Sequence, residues 1–193
     1  MGDNYFENLG GKFIENGRLK GVSDYGIGRG SVVFDIENDG DLDILEVNQK
    51  PVLEGYPVES VTHLFRNDSS KGNWIKIALK GIESETHGIG SKIEIVVNGV
   101  HQIREIDGGG SSHLSQNATY AHFGVGNATK IDEVIIHWTG GNTQVLKDQK
   151  VNQTLLITEE KHLNIFSIFK CFLAALLILG GGIWLRKKLK VRK

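Results

Sequence analysis

The sequence predicts an all-β body, residues 1–160, followed by one C-terminal transmembrane helix. Three observations predict this architecture. Short runs alternate apolar and polar residues through the body, the chain holds 25 glycines and 2 prolines, and one long apolar run lies at residues 165–185. A period of two is typical of strands with one buried face, and glycine-rich connections are typical of tight turns between them. No stretch before residue 160 shows helical periodicity.

The strand patterns are clearest in the second half of the body. Four runs alternate or are rich in β-branched residues: residues 74–80, 92–97, 134–138 and 154–158. The dipeptide Asn98-Gly99 follows the second of these runs directly. Because this dipeptide accepts positive φ at both positions, it predicts a type I′ β-hairpin there.

The last 33 residues, 161–193, differ from the body. Between Ile165 and Leu185 the one charged residue is Lys170, and about 20 apolar residues at a rise of 1.5 Å span a hydrocarbon core of roughly 30 Å. Six of the last eight residues are basic: Arg186, Lys187, Lys188, Lys190, Arg192 and Lys193. Basic residues beside an apolar span mark its cytoplasmic side. We therefore predict a single-pass membrane helix with the body extracytoplasmic and the C-terminus cytoplasmic, the alternative being a buried core helix.

The charge of the body bears on its partners. The chain has a net charge of −1, and without the six basic residues at its end the remainder carries −7. An acidic body disfavours nucleic acid as a partner. A single cysteine, Cys171, excludes a disulfide within the chain. No apolar segment near Met1 resembles a signal peptide, so we expect a piece of a longer exported protein or a start that lies upstream.

Residues 35–43 carry the clearest chemistry. Acidic side chains occupy positions 1, 3, 5, 7 and 9 of this segment: Asp35, Glu37, Asp39, Asp41 and Asp43. Gly40 at position 6 allows a sharp turn. Ca²⁺ takes six to eight oxygen ligands, and oxygens at alternate positions can wrap around it. We predict a calcium site in which Asp41 contributes its backbone carbonyl and the other four residues contribute carboxylates.

The sequence around this acidic segment limits the kind of site. Residues 31–34 and 42–47 look like strands, so an EF-hand with flanking helices is disfavoured. The alternative is a solvated acidic turn, against which the mutual repulsion of five carboxylates argues. The tetrapeptide Tyr5-Phe6-Glu7-Asn8 recurs at residues 64–67 as LFRN, a spacing of 59 residues that suits one blade of a β-propeller.

Patterns of catalytic sites are missing from the sequence. No G-x-S-x-G nucleophile motif occurs, and the seven histidines show no zinc-binding spacing. The glycines of residues 26–30 have no helical pattern after them, so they predict a turn and not a dinucleotide site. The sequence therefore predicts a protein that is not an enzyme.

The first part of the chain resembles a known repeat family. Residues 4–13 (NYFENLGGKF) and the acidic segment 35–43 are similar to the FG-GAP (VCBS) repeats of integrin α-type propellers, except that Glu37 stands where the family more often has Asp or Asn. The resemblance covers about residues 4–70. It implies a partial propeller blade in residues 1–70, a calcium loop, and further blades upstream or in another chain.

The second part resembles the ASPIC/UnbV domain, which follows such repeats in cartilage acidic protein and in bacterial relatives. The similar stretches are GIGSKI at 88–93, RE at 104–105 with GGG at 108–110, LSQ at 114–116, HFGVG at 122–126 and VIIHWTGG at 134–141. The resemblance implies a β-sandwich-like module in residues 71–160, without established catalytic residues.

Together these observations predict a non-catalytic, calcium-stabilised interaction or adhesion module, extracytoplasmic and held to a membrane. Its partner would be a protein or a carbohydrate. Two other functions remain open: a carbohydrate-binding module that uses exposed aromatic rings (Trp74, Trp138 and Tyr120), and a hydrolase built on a propeller. Because a lone blade cannot bury its faces, we expect residues 1–70 to pack on the sandwich, to pair with another chain, or to be poorly ordered.

Overall fold

The computed structural model describes residues 4–24, 26–49, 61–69, 72–108 and 114–161. Within these ranges the chain forms twelve strands and one short helix. In chain order they are β1 (Phe6–Leu9), β2 (Lys12–Glu15), α1 (Gly17–Lys20), β3 (Gly28–Phe34), β4 (Asp43–Asn48), β5 (Thr62–Phe65), β6 (Asn73–Lys80), β7 (Lys92–Val97), β8 (Val100–Glu105), β9 (Tyr120–Gly126), β10 (Lys130–His137), β11 (Thr143–Lys150) and β12 (Gln153–Thr158).

Strands β6–β12 build two sheets that share one core. One sheet has the order β11-β10-β7-β8, and the other has the order β12-β6-β9. Strand β12 runs parallel to β6, and β9 runs antiparallel to it. The remaining neighbours are antiparallel. These strands confirm that the second half is all-β, as predicted, and we call the two sheets of β6–β12 together the sandwich.

The core follows from the alternation of residues along the strands. In β6 the alternate residues Ile75, Ile77 and Leu79 are buried, and in β7 Ile93 and Ile95 are buried in the same cluster. Strands β9, β10 and β12 add most of the rest, with Phe123 among the fully buried side chains. Alternating apolar positions from both sheets therefore meet in a single layer, as the period of two predicts.

The hairpin predicted at Asn98-Gly99 is present between β7 and β8. Val97 pairs with Val100, and the two central residues have φ values of 50° and 75°. Positive φ at both positions is the type I′ geometry, which matches the right-handed twist of the strands.

The N-terminal part forms two smaller sheets. Strands β1 and β2 pair with each other, and a three-stranded antiparallel sheet has the order β3-β4-β5. Strands β3 and β4 flank the acidic segment, as predicted. The two copies of the recurring tetrapeptide lie in separate sheets, at β1 and at the end of β5. Three strands are one fewer than a four-stranded propeller blade, so a propeller stays a prediction.

The N-terminal sheet contacts the sandwich. The Asn117 side chain accepts a hydrogen bond from the Val33 amide at 3.1 Å. The Lys76 ammonium of β6 lies 2.7 Å from the Asp35 carboxylate at the end of β3. We expected residues 1–70 to pack on the sandwich, to pair with another chain, or to be poorly ordered. The described part of this segment shows the first outcome.

A buried carboxylate closes the sandwich at the end of β12. Oε2 of Glu159 accepts hydrogen bonds from the consecutive amides of Ile82, Glu83 and Ser84, each at 2.8 Å. Oε1 accepts a bond from the Ser84 hydroxyl, also at 2.8 Å. Although burial opposes ionisation, these hydrogen bonds lower the pKa of Glu159 to about 2. The carboxylate therefore holds the β6–β7 connection against the end of β12.

Residues 1–159 and 160–193 separate into two compact units. In the second unit the structure describes residues 160 and 161, and the predicted membrane span at 165–185 lies outside the described residues. Among the described residues, no helix is long and apolar enough to cross a membrane.

Candidate cation site in the acidic loop

The loop that joins β3 to β4 is shaped by its own carboxylates. Asp35 accepts hydrogen bonds from the amide of Asp39 at 3.1 Å and from the amide of Gly40 at 2.8 Å. Asp39 accepts one from the amide of Asp41 at 2.9 Å. Acidic residues at alternate positions thus bind backbone N–H groups, and the loop folds back toward Asp35.

Three of the five predicted ligands come together in this loop. Asp35, Glu37 and Asp39 each offer a carboxylate oxygen, and these oxygens all lie within 4.8 Å of one another. Asp35 is buried, whereas Glu37 and Asp39 are exposed. Hard oxygen donors at this separation fit Ca²⁺, which takes such ligands at about 2.3–2.6 Å and completes its shell with carbonyl oxygens and water.

The other two predicted ligands lie outside that group of three. Both carboxylate oxygens of Asp43 accept backbone hydrogen bonds, Oδ2 from Ile36 at 2.9 Å and Oδ1 from Asn67 at 2.8 Å. Asp43 is also 1% exposed. Its place is therefore at the base of the loop, which it ties to the segment after β5. The Asp41 carboxylate is likewise separate from the three clustered ones.

A lysine of the sandwich reaches the inner side of the loop. Lys76 Nζ lies 2.7 Å from Asp35 Oδ2 and donates to Asn38 Oδ1 at 3.2 Å. The ammonium also lies over two rings of the same sheet face, 5.2 Å from the Trp74 centroid and 5.8 Å from the Tyr120 centroid. The side chains of Lys76 and Asp35 are 5% and 0% exposed. This buried cation is enclosed by oxygens on one side and by aromatic faces on the other.

The ion pair favours the ionised form of Asp35. Burial would raise the pKa of this carboxyl, but hydrogen bonds from Lys76 and from the amides of Gly40 and Asp39 outweigh burial and lower it. Asp35 is therefore a carboxylate at neutral pH and can serve a cation.

The glycine at position 6 is required both for the turn and for its contact with the sandwich. Gly40 has a φ of 99°, and a Cβ placed there would lie 1.9 Å from the Trp74 ring. The Trp74 ring stacks on His122 at 6.1 Å between centroids. Burial lowers the pKa of His122, and a hydrogen bond with the Gly40 backbone opposes that effect. The loop tip thus rests directly on this aromatic pair.

Sequence reasoning did not predict that β6 and β9 receive the loop: it named Trp74 as an exposed ring and did not single out Lys76. Trp74, Lys76 and His122 occupy the face of their strands that alternation assigned to solvent. The loop covers that face, so Lys76 is buried. No local sequence pattern predicts such a long-range contact. The outward-facing residues of β6, Trp74, Lys76 and Ala78, are compatible with it.

The structure corrects one premise of the carbohydrate-binding alternative. Trp138 is 3% exposed and belongs to the core, where its Nε1 donates to Gln144 at 3.1 Å. Trp74 is partly covered by the loop, and Tyr120 is half-buried beside Lys76. The three rings therefore do not form an exposed platform for a sugar.

One known family is similar to the second half of the chain. Residues 81–164 match the family model described as ASPIC and UnbV. This match confirms the resemblance predicted for the second half, and it spans strands β7 to β12. No curated protein matches the chain. The similarity of residues 4–70 to FG-GAP repeats, and with it to cartilage acidic protein, stays a prediction.

Proposed function

We propose that this chain is a calcium-stabilised, non-catalytic interaction or adhesion module that faces the extracytoplasmic side of a membrane. The observation that carries the proposal is the cluster of Asp35, Glu37 and Asp39 in a loop seated on the sandwich. Lys76 pairs with Asp35 and Arg66 pairs with Glu37, and a divalent cation there would neutralise the repulsion that remains among the three carboxylates. Its role is structural, because it would fix the connection between β3 and β4.

A thermal melt of the full chain tests the cation. We expect calcium to raise the melting temperature by about 5–10 °C over EDTA when calcium is about 100-fold above Kd, since binding to the folded state alone then adds about 2.7 kcal/mol. Mg²⁺ should give a smaller shift, because it requires near-octahedral geometry. Asp39→Ala should abolish the calcium shift.

Asp41→Asn is the matched control for that experiment. The Asp41 side chain lies outside the group of three carboxylates, and its predicted contribution is the backbone carbonyl. The variant should therefore keep the calcium shift. If the wild-type chain has the same melting temperature in calcium, in magnesium and in EDTA, the calcium site is contradicted and the loop is a solvated acidic turn.

The membrane part of the proposal rests on the apolar run at 165–185 and on the basic residues after it. A reporter that works only in the cytoplasm should be active when it is fused to the C-terminus, because positive charges stay on the cytoplasmic side. A reporter that works only after export should be inactive at the same position. The chain should also sediment with membranes. Recovery in the soluble fraction, or a tail exposed outside, would contradict this part.

The proposed partner is a protein or a carbohydrate, bound together with further blades supplied upstream or by another chain. Exposed apolar side chains of the N-terminal sheets support the need for such neighbours: Phe6, Leu9, Phe13, Ile14 and Leu64. The hydrolase alternative has less support. A cleft of about 420 Å³ beside the N-terminal sheet is lined by one carboxylate, that of Glu46, and its described lining includes no histidine.

A further inference from the structure

The outer face of β6 and β9 supplies the acidic loop with a cation of its own. Lys76 Nζ contacts Asp35 at 2.7 Å and Asn38 at 3.2 Å, and both members of the ion pair are buried. A buried ammonium loses its hydration and must be compensated by charge and hydrogen bonds. Asp35, Asn38 and the two aromatic rings provide that compensation.

The three clustered carboxylates of the loop differ in their exposure to solvent. Glu37 and Asp39 are exposed, whereas Asp35 is buried. Glu37 Oε1 also lies 3.5 Å from Arg66 Nε. Oδ2 of Asp35 binds Lys76 and accepts the Gly40 amide, whereas Oδ1 accepts only the Asp39 amide among the contacts described. Because Oδ1 keeps a second lone pair, Asp35 can serve the ammonium through Oδ2 and a divalent ion through Oδ1.

We propose that Lys76 is a built-in counter-ion of the loop, which keeps the loop docked without calcium and lowers its affinity for calcium by sharing Asp35. This inference rests on the proposed calcium site for its second half. Removing the ammonium would leave Asp35 buried and uncompensated, so the loop would then depend on an external cation. Removing it would also end the repulsion between Nζ and an ion bound to the same carboxylate.

Two measurements on the purified full chain test the inference: melting temperature in EDTA, and calcium affinity by isothermal titration with calcium chloride. Lys76→Met should lower the melting temperature in EDTA by about 10 °C, because one partner of a buried pair is removed. Its calcium Kd should be about tenfold lower than that of the wild-type chain. Lys76→Arg keeps the charge and should show no tightening.

If Lys76→Met is unfolded in EDTA, circular dichroism with added calcium becomes the measurement. Recovery of the folded spectrum would support the inference, and continued absence of structure in saturating calcium would overturn it. For a folded variant, an unchanged or weaker calcium affinity would overturn it too, since Lys76 would then serve the loop as an ordinary ion pair or as a shaping contact.

The same data separate this inference from the proposed function. Failure of the wild-type chain to bind calcium contradicts the calcium site itself. Binding by the wild-type chain, with no tightening in Lys76→Met, contradicts the role of Lys76 and leaves the calcium site intact.

Discussion

Replacing Glu159 by glutamine should lower the free energy of unfolding by about 2–4 kcal/mol, because three amides and one hydroxyl lose a buried ionised acceptor. The neutral amide group keeps the size of the side chain and turns an N–H₂ toward donors. Urea denaturation of the full chain measures the loss. Glu105→Gln is a matched control, because Glu105 is 57% exposed and lies 4.0 Å from Lys92; its effect should stay below about 0.5 kcal/mol.

The effect of Glu159→Gln should also depend on pH. The pKa of Glu159 is about 2 in the folded chain against an ordinary value of 4.5, so its carboxylate stabilises the fold above about pH 4.5. That contribution is lost as the pH falls toward 2. The stability difference between the wild-type chain and the variant should therefore shrink between these values. A difference that is constant over this range would contradict the assignment.

Replacing Gly40 by alanine should cost about 2–4 kcal/mol, through two separable causes. A φ of 99° strains any residue with a Cβ, and that Cβ would meet the Trp74 ring at 1.9 Å. The ring must move off His122 or the loop must rise, and either movement should change tryptophan fluorescence. Thermal and urea unfolding give the size of the loss.

Gly11→Ala isolates the first of these causes. Gly11 has a φ of 92° in the turn between β1 and β2, and no atom lies within 4 Å of its Cβ position. It should therefore show the backbone strain without the clash, at about 1 kcal/mol. Equal losses in the two glycine variants would mean that the contact between the loop and Trp74 adds nothing.

Local periodicity explains which parts of the fold are predictable. The alternation in β6 and β7 and the Asn98-Gly99 turn follow from neighbouring residues alone, and the structure confirms them. The parallel pairing of β12 with β6 brings Leu155 opposite Ile77, although the two residues are far apart along the chain. Such pairing depends on how the two sheets close around the core. It therefore cannot be deduced from a short stretch of sequence.

In the candidate site, too, local spacing predicts some features and long-range packing decides others. The spacing of Asp35, Glu37 and Asp39 predicted the cluster that the loop forms. Asp43 has the same spacing, yet its oxygens bind the amides of Ile36 and Asn67, because the strands place it at the base of the loop. Lys76 was missed since a lysine on the polar side of a strand is ordinarily solvated.

The most direct test of the calcium site is terbium luminescence, with Tb³⁺ in place of Ca²⁺. The Trp74 ring touches Gly40, which stands between Asp39 and Asp41, so excitation of this ring should sensitise emission from an ion in the loop. We predict emission that calcium displaces, that Trp74→Phe and Asp39→Ala remove, and that Asp41→Asn keeps. The chain has three tryptophans, and Trp74→Phe separates their contributions. No sensitised emission, or emission that survives Asp39→Ala, would contradict a cation site in this loop.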